Sequence, residues 1–425
     1  MRGFRDYVPL GRALETVERL SRDRSRREEI GVKDAYGRVA ADDVSSPSDV
    51  PDRTRSHMDG YAALASDLRG ASPRTPKALS LKPTRGTGHR RAIRVSSGQT
   101  ASVVTGGLLP LGADTVVPVE EVKMVGSRVI FTAKSRRGNH CFEAGSDVRK
   151  GDILVRRGRT IRAQEIGLLA LLGVKTIAVW ARPRVALIAT GSELVSAFGP
   201  DDPSRVRESH TPIFENLIRE NGGEPVVFGI VPDDVGRIAS ALELALRNSD
   251  LVLTLGGTSV GERDLVEKAL RRVAKGEEMI HGIGMDRGRV AGLAEARGKP
   301  VVMLPGPVQG AMNAFVLLAL PLISRLAGSR RAREPSVVAR LETGWKARKR
   351  FQHFTKVMYV SLRRRGKVFV AKPMVRDTES MSILVESNGF VLVPERTVSL
   401  RAGADVEVRL LPGFSYLKGG FLEEG

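Results

Sequence analysis

The sequence predicts a multidomain protein of the α/β plus β class, with one doubly wound parallel-sheet domain and two smaller β-rich domains. Three observations point there. The chain has 425 residues, enough for about three domains of ordinary size. Between residues 182 and 328, apolar runs alternate with helical periodicity, the pattern of a parallel sheet covered by helices. On either side, short β-rich runs punctuated by Pro and Gly replace that pattern.

Taken in order, Leu10, Leu14, Val17 and Leu20 recur at helical spacing and predict an opening helix. Residues 46–141 carry AIRV, TVVPVEEV and RVIFTA between turn residues and read as a small β domain. A turn-and-strand stretch at 145–161 and a short helix at 164–172 follow. With the N-terminal residues they give a discontinuous helical/β linker domain over 1–45 and 142–181. Within 182–328, strands are expected at 185–189, 226–231, 251–255 and 301–304, separated by helices. Residues 329–425, from VVARLE to ADVEVRLL, read as a C-terminal β-barrel-like domain.

Hydrophobic residues are 41% and charged residues 27%, an ordinary globular balance. The single cysteine, Cys141, excludes an intramolecular disulfide and a cysteine metal cluster. The longest apolar stretch, 311–323, is too short to span a bilayer, so no membrane partner is expected. The charged N-terminus lacks the apolar core of a signal peptide, which points to the cytoplasm. Net charge is +20, and only 16 of the 68 basic residues are Lys. The Arg clusters are short and scattered, aromatics are 5%, and no nucleic-acid-binding spacing occurs. Such a surface suits small polyanions better than nucleic acid. Few Asn and Gln beside abundant Arg and Glu fit a thermophile.

Ligands of an open parallel sheet bind beyond the carboxyl ends of its strands. Four polar, turn-forming segments fall there: Thr190 to Glu193, Pro232 to Asp234, Gly256 to Ser259, and Leu304 to Gly306. GGTSVG lacks both the dinucleotide and the Walker A spacing. Its successive backbone N–H groups before a helix still make an anion cradle. Glu193, Asp233 and Asp264 are expected around the same anion, and three carboxylates there call for a hard cation, Mg²⁺. This is metal-assisted chemistry on a phosphorylated ligand.

SHMDGYA (56–62), VTGGLLPLGADTVVPVEE (104–121), GSDVRKGD (145–152), RPRVALIATGSELV (182–195) and TLGGTSVGERDLV (254–266) resemble the molybdopterin molybdenumtransferases, the MoeA and gephyrin E-domain family. ESNGFVLVPERTVSLRAGADVEVRLL (386–411) extends the resemblance over essentially the whole chain. It implies an elongated homodimer of four-domain subunits, with 182–328 binding molybdopterin. It also implies Mg²⁺-assisted insertion of molybdate, or tungstate, into adenylylated molybdopterin with release of AMP. The molybdopterin adenylyltransferase becomes a candidate partner.

The family's functional positions fall on Asp59, Thr105, Glu193, Asp233 and Asp264, with Glu193, Asp233 and Asp264 as the metal ligands. Ser209, Gly256, Gly257, Ser259, Gly261, Arg289, Pro305 and Gly306 would contact the pterin nucleotide or the oxyanion. Two segments depart from the pattern. The family's Lys-Pro-Gly-Lys-Pro is here Asp286-Arg287-Gly288-Arg289-Val290, and LPGNPVS is LPGPVQG. These changes keep open a second reading, a catalytically altered paralogue that binds a molybdopterin nucleotide as carrier or scaffold.

Overall fold

The computed structural model describes residues 7–21, 26–83, 93–258, 264–274, 276–329, 335–377 and 379–411. Its centre is a six-stranded sheet in the order Glu224–Val231, Arg184–Thr190, Leu251–Leu255, Lys299–Leu304, Gly292–Ala296, Met279–His281. The first four strands are parallel. Three of them, Arg184–Thr190, Leu251–Leu255 and Lys299–Leu304, are near-continuous apolar runs because helices cover both faces. The last two strands correct the expected all-parallel sheet, because both pair antiparallel. They escape a periodicity reading because each is short and glycine-punctuated. A two-residue turn joins Gly292–Ala296 to Lys299–Leu304, with Arg297 at φ 52° and Gly298 at φ 70°.

One face of this sheet carries His210–Glu220 and a long helical run from Val308 to Leu326. The N-terminal helix Leu10–Leu20 adds Leu10, Ala13, Val17 and Leu20 to the same core. Phe214 and Phe315 stack there, ring centroids 5.0 Å apart. The helical run is the one stretch among the described residues long and apolar enough to cross a membrane, and 83% of it is buried inside the protein. Its middle, Phe315–Ala319, is a π-helical turn. The opposite face carries Val235–Asn248 and Leu265–Ala274.

The remaining strands build three further groups. A second six-stranded sheet runs Thr115–Pro118, Gly60–Ala63, Gln99–Val103, Lys77–Leu81, Arg128–Phe131, Val122–Val125. Arg27–Gly31 pairs antiparallel with Thr176–Trp180 over a small core that includes Leu169 of the helix Ala163–Leu171. Towards the C-terminus five strands between Ser336 and Leu410 close into a barrel filled by Leu341, Met358, Val360, Val391 and Val408.

The sheet order sets the position of the site. From Arg184–Thr190 the chain crosses to Glu224–Val231 on one side, then to Leu251–Leu255 on the other. That reversal opens a crevice at the carboxyl ends of the first and third of these strands. The Thr190 and Gly256 loops flank it.

Candidate active site at the carboxyl edge of the mixed sheet

Backbone contacts stitch the strand ends together. The Gly256 N–H donates to the Leu304 carbonyl at 3.0 Å. Gly256 and Gly257 both have positive φ, 80° and 65°. A Cβ on Gly257 would lie 2.2 Å from the Thr190 hydroxyl oxygen, so only glycine lets the loop settle on the neighbouring strand. The hydroxyls of Thr190, Thr254 and Thr258 are buried here with no hydrogen-bond partner among the described residues. Polar atoms in that condition are costly unless a ligand, water or neighbouring loop satisfies them. Ser259 and Gly261 lie outside the described residues.

Ser192 and Asp233 tie two loops reciprocally. The Ser192 N–H donates to Asp233 Oδ2 at 3.1 Å, and the Asp233 N–H donates to Ser192 Oγ at 3.0 Å. The adjacent carboxylates divide the work. Asp234 Oδ1 accepts the Arg237 N–H at 2.8 Å and caps its helix, while Asp233, tied to Ser192, is exposed, as is Glu193. Ser209 is exposed and makes no side-chain cap. The cap of His210–Glu220 comes from buried Glu208, which accepts the N–H groups of His210 and Thr211 at 2.8 and 3.0 Å. Pro305 is buried and Gly306 exposed, just ahead of the helix that opens at Val308.

Asp264 sits in a different cluster of side chains from Glu193 and Asp233. Among the described residues, the three-member group whose ligand atoms lie within 4.8 Å of one another is Asp264, Glu267 and His281. Asp264 is buried; its Oδ1 accepts the Glu267 N–H at 2.7 Å and its Oδ2 lies 3.1 Å from His281 Nε2. Both oxygens are committed to the protein. Sequence spacing missed His281, which stands 17 residues on and reaches Asp264 from an edge strand that periodicity did not show.

The Asp286–Arg289 segment is engaged as well. Burial pushes the Asp286 carboxyl up from its usual range, against the pull of Arg287, Arg348 and Lys356. Arg287, at φ 56°, donates to the Gln309 side-chain oxygen and, at 2.7 Å, to the Arg376 carbonyl. Asn313 donates from Nδ2 to the Arg287 carbonyl at 2.7 Å and accepts the Tyr359 hydroxyl at 2.6 Å. The Arg289 guanidinium lies over the Phe351 ring at 5.7 Å.

Asp59 and Thr105 meet on the second sheet. The Thr105 N–H and hydroxyl donate to Asp59 Oδ1 at 2.6 and 2.9 Å, and hold that carboxyl below the usual range. This pair bonds to itself rather than to Glu193, Asp233 or Asp264. Gly60 next to it is required, since a Cβ there would sit 2.2 Å from the Val117 carbonyl oxygen.

Three family descriptions match in succession: "MoeA N-terminal region (domain I and II)" over residues 8–173, "Probable molybdopterin binding domain" over 186–325, and "MoeA C-terminal region (domain IV)" over 338–411. A molybdopterin molybdenumtransferase of Nostoc sp. is 30% identical over 307 residues, 72% of this chain and 70% of that protein. The chain belongs to the molybdopterin molybdenumtransferase family. It is an enzyme of molybdenum cofactor biosynthesis. A second family member, molybdopterin molybdenumtransferase 2 of Mycobacterium tuberculosis, is 28% identical across 89% of this chain and 94% of that one. The solved structure of a molybdopterin biosynthesis MoeA protein from Pyrococcus horikoshii superposes with a TM-score of 0.86 at 29% identity, covering 96% of this chain and all of that chain.

Proposed function

We propose that this enzyme inserts molybdate, or tungstate, into adenylylated molybdopterin and releases AMP. The observation that carries the reading is the stitched edge: two positive-φ glycines, three buried hydroxyls among the described residues without partners there, and the Ser192–Asp233 tie all border one crevice. The 256–258 backbone and the threonine hydroxyls are donors for the phosphate end of the nucleotide. Glu193 and Asp233, exposed on loops that Ser192 joins, fit the one or two carboxylates that Mg²⁺ takes beside ligand phosphates. When bound, that ion supplies charge neutralisation for the phosphoanhydride under cleavage. Asp264 is left out of its ligand set for the reason given above.

The oxyanion approaches along the Asp286–Arg289 segment, where Arg289 supplies positive charge. Asp59 and Thr105 close the cleft in a two-fold homodimer, the side of one subunit that bears them covering the α/β edge of the other. The carrier or scaffold reading draws on Asp286, which sets a carboxylate where the family has a cation. One assay separates the two. Purified protein with adenylylated molybdopterin, Mg²⁺ and molybdate or tungstate is expected to release AMP; tight binding of the nucleotide with no AMP at any oxyanion concentration would leave the carrier reading standing.

A further inference from the structure

Gln309 and Asn313 stand four residues apart on the helix that opens at Val308, so their carboxamides share one face, and both are buried. Each is used at both ends. Gln309 Oε1 accepts from the Arg287 guanidinium, and its Nε2 donates to the Asp377 carbonyl and, at 3.2 Å, to the Ser380 carbonyl. Asn313 Nδ2 donates to the Arg287 carbonyl at 2.7 Å, and its Oδ1 accepts the Tyr359 hydroxyl at 2.6 Å. The partners dictate both orientations. A guanidinium only donates and a carbonyl only accepts, so neither amide can turn round without setting like against like.

The two amides join three parts of the chain. Arg287 belongs to the ligand-edge segment, the helix to the α/β domain, and Tyr359, Asp377 and Ser380 to the C-terminal domain. The segment meets that domain at further points. The Asp286 N–H donates to the Thr355 carbonyl at 2.8 Å, the Thr355 N–H to the Gly284 carbonyl at 2.9 Å, and Arg287 to the Arg376 carbonyl at 2.7 Å. Arg376 in turn donates to Ser382 and, at 2.6 Å, to Glu386, which ties it to the short helix Ser382–Glu386. Arg289 rests over the Phe351 ring of the same domain. The cation of the segment therefore goes where the C-terminal domain goes. Gln309 and Arg287 also fall in the two segments that depart from the family pattern, LPGPVQG and 286–290, so the two departures are bonded to each other. Buried amides satisfied in this way are costly to leave unpaired.

We propose that Gln309 and Asn313 are positioning residues for the oxyanion: their carboxamides clasp the Asp286–Arg289 segment to the C-terminal domain, and so set where the Arg289 guanidinium stands. Neither touches the oxyanion. This rests on the reading of Arg289 as the cation that meets it.

Gln309→Met and Asn313→Leu keep the buried volume and lose both ends of the amide. Tyr359→Phe removes one hydroxyl and leaves the Arg287 bond in place. The full-length chains are titrated with molybdate alone by calorimetry, and assayed for AMP release with adenylylated molybdopterin, Mg²⁺ and molybdate. Gln309→Met and Asn313→Leu are expected to weaken molybdate binding and raise its half-saturation about tenfold, with the KM for the adenylylated pterin within about twofold of wild type. Tyr359→Phe should shift both molybdate values about threefold. A fall in melting temperature or kcat in all three variants, with molybdate affinity unchanged, overturns the proposal.

Arg289→Ala separates the two readings. If it binds molybdate as tightly as wild type, the reading of Arg289 fails and takes the clasp's role with it. If it loses affinity while Gln309→Met and Asn313→Leu do not, only the present proposal fails. Hydrogen exchange at the Asp286 amide, whose bond to Thr355 crosses the domain border, reads the clasp without any ligand. It should quicken in Gln309→Met and Asn313→Leu, and unchanged exchange in both overturns the clasp. If the wild type binds molybdate yet releases no AMP, the reaction proposed above fails, and the calorimetry alone decides for or against the clasp.

Discussion

Arg289, over the Phe351 ring, and His281, between Asp264 and Glu267, are two residues whose substitution tests the charges proposed for the site. If Arg289 is the cation that meets the oxyanion, Arg289→Ala should raise the molybdate concentration for half-maximal AMP release by about ten- to a hundredfold, roughly the 1.5–3 kcal/mol of a charge-assisted hydrogen bond. Affinity for the adenylylated pterin, measured by calorimetry, should barely move; an unchanged molybdate titration would leave the segment a packing loop against Phe351. His281 gives a prediction in pH. Its folded pKa is raised above the unfolded value of about 6.5, so its stabilisation is complete below that pH and is lost as pH rises through the folded value. Melting temperature should therefore fall faster above neutrality in the wild type than in His281→Gln, and parallel curves would argue against the ion pairs with Asp264 and Glu267. At this scale the sequence marks where acidic residues fall along the chain but not their partners. Linear spacing places Asp264 near the glycine loop; it does not tell which way a carboxylate turns, and the buried cap and His281 decided that.

Whole elements were legible where burial makes the pattern simple. The runs at 185–189, 251–255 and 301–304 are strands buried on both faces, so continuous apolarity marks them. Met279–His281 and Gly292–Ala296 were not legible, because strands of three and five residues carry no period, and the turn from Gly292–Ala296 to Lys299–Leu304 uses Arg-Gly rather than Asn-Gly. The glycine loop offers an element-scale test. Gly257→Ala places a methyl against Thr190 and Val266 at a positive φ, and should cost about 1–3 kcal/mol of stability together with nucleotide affinity. Gly167→Ala, inside the helix Ala163–Leu171 with nothing within 4 Å of the added carbon, should instead raise stability by about 0.5–1 kcal/mol. Thermal melts of both proteins check the contrast, and equal losses would mean the loop is not held against Thr190.

For the whole molecule, the Asp59–Thr105 pair and the α/β edge make separate hydrogen-bond networks among the described residues, which is the physical reason to expect that a second subunit completes the cleft. Light scattering at micromolar concentration should give about twice the 46.0 kDa of the chain. A monomer at every concentration would remove Asp59 and Thr105 from the site. The net charge of +20 adds a kinetic expectation: association with the anionic nucleotide should slow as salt rises, while the release step changes little.

The antiparallel rungs Ser56↔Cys141 and Arg55↔Phe142 carry a consequence for how this protein is put together. The path leaves and re-enters its neighbours at points only about 5 Å apart, the width of one ladder rung. Residues 57–140 thus enter and leave at one rung, with Thr54, Arg55 and Ser56 also bonded to Gly106, Gly107 and Leu109, and their sheet has its own core, with Leu68, Val129 and Phe131 fully enclosed. Replacing residues 57–140 by a short glycine-serine bridge should leave the α/β sheet and the barrel folded, as judged by an unchanged melting transition for the remainder. If the proposed roles hold, such a shortened chain is expected to capture the pterin nucleotide without shutting over it, which would make capture and closure separable pieces of inheritance, each free to be exchanged between relatives without rebuilding the other.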